Sequence, residues 1–110
     1  YLVEDEWVIP IVDTIGKLGF PSANRHIALV RPDGLALQIC FDAESATGYP
    51  DGGCRAGLWL QFPLDAPVPE LDGLHPDARL VELEVLGPLA DLEPGESKEL
   101  ELTWRVMGKP

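Results

Sequence analysis

Apolar and polar positions alternate strictly in two runs near the end of the chain, residues 80–86 and 99–106. In the first, Val81, Leu83 and Val85 form one set, and Glu82 and Glu84 the other. In the second, Leu100, Leu102, Trp104 and Val106 oppose Glu99, Glu101, Thr103 and Arg105. A period of two belongs to a strand with one face on a core and one in water. Each run therefore predicts a half-buried strand. Residues 54–62 alternate in the same way, Ala56, Leu58, Leu60 and Phe62 against Arg55, Gly57, Trp59 and Gln61.

Residues 26–31 and 35–41 are almost continuously apolar and are joined by Pro32-Asp33-Gly34. Proline at the first turn position with glycine just after suits a type I turn closed by a glycine in the left-handed region. This predicts a hairpin, with both arms covered on both faces. Residues 7–12 predict a first strand, which Pro10 places at a sheet edge or a bulge. Residues 13–24, with Gly16, Gly19 and Pro21, read as a connecting loop, and residues 42–53 as a polar one. Residues 63–78 hold four prolines and no period, which predicts a long loop with room for one helical turn. Six strands without a convincing helix predict an all-β antiparallel β-sandwich, because a single sheet would leave one apolar side wet.

Composition narrows this picture. A length of 110 residues predicts one domain over residues 1–110. The 11 glycines and 11 prolines fall mostly between the apolar runs, as turn punctuation does. Eight basic residues against 19 acidic ones give a net charge of −11, which repels phosphate backbones and anionic membrane surfaces. Nucleic acid and membrane are therefore excluded as partners, and no apolar run approaches the roughly 18–20 residues of a membrane span. No signal-peptide pattern is visible, which favours the cytoplasm. The chain begins at Tyr1, and the expectation is a C-terminal fragment of a larger fold or a subunit of a homo-oligomer.

Candidate chemistry is sparse. Cys40 lies inside an apolar run, where a thiol acts as a small buried hydrophobe, and a free pair is expected over a Cys40–Cys54 disulfide. His26 and His75 show no ligand spacing with either cysteine, so no metal is expected. No phosphate loop or dinucleotide fingerprint is present, so no cofactor is expected. If residues 54–62 and 79–86 share a sheet, their outer faces carry Arg55, Trp59, Gln61, Glu82 and Glu84 together. An indole beside amide, guanidinium and carboxylate groups suits a sugar, whose C–H faces pack on the ring while its hydroxyls take hydrogen bonds. Asp51, in the glycine-rich turn Tyr49-Pro-Asp-Gly-Gly53, could add to such a site. The same pattern fits solvated carboxylates on any half-exposed strand, and Trp59 equally fits beneath the loop of residues 63–78.

Tyr49-Pro-Asp-Gly-Gly-Cys54, Glu82-Leu-Glu-Val-Leu-Gly-Pro88, Leu92-Glu-Pro-Gly-Glu-Ser97 and Thr103-Trp104 follow one another across about the last sixty residues. In this order and spacing the chain resembles the C-terminal part of uncharacterised bacterial domains related to the galactose mutarotase-like (aldose 1-epimerase) superfamily. The resemblance implies a share of a large antiparallel supersandwich that binds carbohydrate on a concave sheet face. Mutarotases carry a catalytic glutamate on a strand shortly before the Pro-Gly-Glu turn, and Glu84 lies closest to that position. Neither His26 nor His75 matches the family's acid histidines, and the full fold is more than twice as long. The expectation is a carbohydrate-binding domain that is not catalytic on its own. The alternatives are a structural or protein-interaction sandwich and an aldose 1-epimerase-like isomerase with Glu84 as base.

Overall fold

The computed structural model describes residues 1–44 and 48–108. The strands pair entirely in antiparallel fashion; of the alternating run 99–106 only residues 103–106 lie in a strand, and they are exposed rather than half-buried. A short hairpin joins β1 (Leu2–Val3) to β2 (Glu6–Trp7). β3 (Gly16–Phe20), β6 (Ala56–Gln61) and β7 (Leu80–Val85) make one sheet in the order β3-β6-β7. β4 (His26–Val30), β5 (Ala36–Cys40) and β8 (Thr103–Met107) make the other in the order β4-β5-β8. The architecture is the all-β, sandwich-like one that the alternation predicts.

The core gathers on the two central strands. Ala56, Leu58 and Leu60 of β6 and Ala36 and Ile39 of β5 are buried, together with Phe41, Tyr49 and Cys54. The sheets approach each other most closely along β4 and β7. The radius of gyration is 16.3 Å, against about 13 Å for a compact domain of this length. The sheets therefore leave apolar surface open.

The β4–β5 hairpin turns as expected. Gly34 N–H donates to Arg31 O at 2.9 Å, Arg31 N–H donates to Leu35 O at 2.8 Å, and Gly34 has φ 87°. The left-handed backbone at Gly34 is the reason glycine is required there. Residues 63–78 form an ordered excursion rather than an open loop. Val68 and Leu74 bridge, a single 3-10 turn spans Pro69–Leu71, and His75 Nε2 lies 3.0 Å from Leu64 O. His75 thus serves the loop itself.

Three expectations are corrected. Residues 8–12 form no strand, and Ile11 and Val12 are exposed, because Pro10 offers no ladder donor and no neighbour covers the run. Residues 16–20, read as loop, are the edge strand β3. The arms of the β4–β5 hairpin are not both covered on both faces: Ala28 and Val30 of β4 are exposed.

Candidate functional site

Residues 54–62 and 79–86 do share a sheet, and the register sets what their faces carry. Trp59 lies between Lys17 of β3 and Glu82 of β7, and Gly57 lies between Gly19 and Glu84. Paired residues in an antiparallel sheet point to the same side. Trp59, Gln61, Glu82 and Glu84 therefore stand on one face, opposite the buried Ala56, Leu58 and Leu60.

Lys17 organises the end of this face nearest Asp51. Its Nζ is 2.8 Å from Glu84 Oε2 and 2.7 Å from Asp51 Oδ2, so one ammonium bridges two carboxylates. Glu84 sits diagonally across β6 from Lys17, and glycine at position 57 leaves the path open. A Cβ there would come within 3.3 Å of Glu84 Oε2 and 3.1 Å of Leu18 O. Asp51 reaches Lys17 because the turn Pro50–Gly53 folds back, with Cys54 N–H donating to Pro50 O at 2.9 Å and Asp51 itself at φ 53°. Hydrogen bonds from Lys17, first to Asp51 and then to Glu84, raise its pKa well above the ordinary 10.5.

At the other end, Trp59 Nε1–H donates to Gln61 Oε1 at 3.0 Å, and Gln61 Nε2 donates to Ala78 O at 3.5 Å. Both side chains are partly buried, and the chain of bonds fixes the indole against the sheet. A second ion pair, Arg79 with Asp13, ties the segment before β3 to the entry of β7. The Arg79 guanidinium, chiefly through its hydrogen bond, lowers the pKa of the exposed Asp13 carboxyl.

Four of the six residues expected at the site thus share a face, and Asp51 joins them through Lys17. Arg55 does not reach Trp59. It stands four positions earlier, about 13 Å along an extended strand, with its guanidinium 5.3 Å from the centre of the Tyr49 ring. Lys17 is the residue that sequence reasoning misses, since it lies in a segment rich in glycine. The weak signal for it is the pair Leu18 and Phe20, which alternate with Lys17 and Gly19.

The Lys17 cluster has a pH signature. A lysine whose pKa is raised on folding adds stability that is complete below its unfolded value and is lost as pH rises through the folded one. The Tm difference between the native chain and Lys17→Met should therefore hold constant from about pH 7 to about pH 9. It should shrink only above 10.5. Thermal melts monitored by circular dichroism would show this, and a difference that collapses by pH 9 would refute the bridge.

The other sheet carries two cavities. One, about 640 Å³ and open, lies on its polar face and is lined by groups including His26, Gln38, Cys40, Thr103 and Arg105. The smaller, about 210 Å³, is apolar and is lined by Leu29, Leu35, Leu37 and Val106 among others. His26 is engaged with Glu6 at 3.0 Å. Cys40 and Cys54 are free thiols in separate parts of the fold. Among the described residues no cluster of histidine, cysteine and carboxylate groups is arranged to hold a metal, and no helix is long and apolar enough to cross a membrane. No family model, curated protein or solved structure matches the chain.

Proposed function

We propose that this chain is a carbohydrate-binding β module of mutarotase-like architecture, with its ligand lying on the β3-β6-β7 face. The observation that carries the reading is the register that places Trp59 beside Glu82, with Gln61 and Glu84 on the same side. The indole, steadied by Gln61, is a flat apolar platform for a pyranose. Glu82, which makes no ion pair among the described residues, is an acceptor for hydroxyls next to it. Lys17 holds Glu84 and Asp51 in fixed positions, which lowers the cost of ordering them around a ligand. Binding is put ahead of catalysis here, because the Lys17 ammonium lies 2.8 Å from Glu84 Oε2 and holds that carboxylate in an ion pair.

The test is calorimetric titration of a panel of neutral mono- and oligosaccharides. Trp59→Ala should weaken any sugar found by about 1–2 kcal/mol, the scale of a lost aromatic contact. A sugar that binds equally well to the variant, or no binding across the panel, removes this reading. A second reading, a protein-interaction module, is favoured by the exposed apolar side of β8, where Trp104 is 63% and Val106 73% exposed.

A further inference from the structure

We infer that the sugar preferred by the β3-β6-β7 face is a cationic amino sugar, an inference that rests on the carbohydrate reading and names its substrate class. The charges bordering Trp59 agree in sign. Glu82 stands directly across the strand pair from the indole, is exposed, and makes no ion pair among the described residues. Further along the same side, Glu84 and Asp51 share one ammonium, that of Lys17, at 2.8 and 2.7 Å. Three carboxylates therefore accompany a single cation, and two of them already hold it.

The other basic groups of this sheet do not reverse that balance. Arg79, at the entry to β7, is paired with Asp13. Arg55 lies over the Tyr49 ring. A carboxylate, sulfate or phosphate on a sugar would meet repulsion at Glu82, and each cation of this sheet named here is engaged elsewhere. Acidic sugars are disfavoured.

The indole gives an independent reason to prefer a cation. Trp59 Nε1–H already donates to Gln61 Oε1 at 3.0 Å, so the ring offers a ligand its π face and not a donor. That face attracts C–H groups and, more strongly, a positive charge, because the ring quadrupole is negative above the plane. A hydroxyl placed between Trp59 and Glu82 gains one hydrogen bond. An ammonium in the same place gains a charge-assisted bond together with the attraction of the ring. Leu80, paired with Gln61 on the same side and 40% exposed, continues the apolar floor beneath the rest of the sugar.

The probes are a fully deacetylated chitosan trisaccharide and cellotriose. They share linkage and ring, and differ by an ammonium in place of one hydroxyl on each ring. Both are titrated calorimetrically into the intact chain at low salt. The chitosan probe is expected to bind roughly three- to tenfold more tightly, the scale of an exposed ion pair joined to a cation–π contact. The advantage should shrink as salt is raised. Glu82→Gln, at an exposed position of β7, should erase most of it. Glu99→Gln removes the same charge from the segment leading into the other sheet, and should leave the advantage intact. An equal loss in the two variants overturns the inference and assigns the preference to the net charge of −11. An advantage that survives Glu82→Gln overturns it as well. Equal affinity of the two probes for the native chain overturns the amino sugar alone and leaves the carbohydrate reading standing. Binding of neither probe overturns both.

Discussion

Leu58→Ala is expected to lower the free energy of unfolding by about 2–5 kcal/mol, the usual range for truncating a buried leucine. Leu58 is 6% exposed at the centre of β6, the strand hydrogen-bonded on both sides, with Leu60 (5%) next on the same face. Removing its side chain leaves a cavity in the best-covered part of the molecule. A domain of this size has only about 5–15 kcal/mol in total, so this one change consumes a large part of the margin. Leu18 occupies the same cross-strand row but is 44% exposed on the edge strand. Leu18→Ala should therefore cost well under half as much. Urea titrations should show the midpoint falling for Leu58→Ala with the slope unchanged. Equal losses at the two positions would mean that burial does not concentrate on β6.

Gly19→Ala is the second large effect. The backbone there is ordinary for a strand, so conformation does not demand glycine, but space does. A Cβ at position 19 would be driven into Cys54 Sγ, and Cys54 is itself buried. Overpacking of this kind costs about 1–3 kcal/mol. In a Cys54→Ala background the nearest Cys54 atom to the new methyl is Cβ, at 3.5 Å, an ordinary contact. The double variant should therefore be no less stable than Cys54→Ala alone, because a strand alanine also loses less chain entropy than glycine. The resulting non-additivity, measured as a double-mutant cycle, is the diagnostic. Additive losses would show that the sulfur is not the obstacle.

How far the fold could be read from the chain follows from what each segment packs against. β6 and β7 were legible because one face of each meets the core and the other does not, so the alternation is real burial written in residue types. The β4–β5 hairpin was legible through its turn, where proline and glycine have separate backbone duties. β3 was obscured by Gly16 and Gly19, which look like loop punctuation. Gly19 is in fact small to admit Cys54, a long-range requirement that no local window contains. Residues 7–12 misled in the opposite sense, since apolar composition says what a segment could bury and not whether anything covers it. The same limit applies to β8. Its alternation located the strand, yet its apolar side, the same side of the sheet as the buried Ile39, is left uncovered at the edge. At the site, strand period set Trp59 with Gln61 and Glu82 with Glu84, and the pairing of β6 with β7 brought the two sets onto one face. Lys17 did not, because its partners lie 34 and 67 positions away.

The pairing of β5 with β8 sets a timetable for synthesis. Cys40 pairs with Thr103, so about sixty residues must leave the ribosome after β5 before its second neighbour exists. At translation rates of about 5–20 residues per second, that interval is roughly 3–12 s. A hairpin of this kind closes in microseconds. The β4–β5 hairpin therefore waits, with Leu37 and Ile39 and one strand edge open, for a time about a million-fold longer than its own formation. Closing so long an intervening segment adds little equilibrium cost, since the entropy grows only with the logarithm of its length. The burden falls on the nascent chain, whose β5 edge stays open until β8 arrives to cover it.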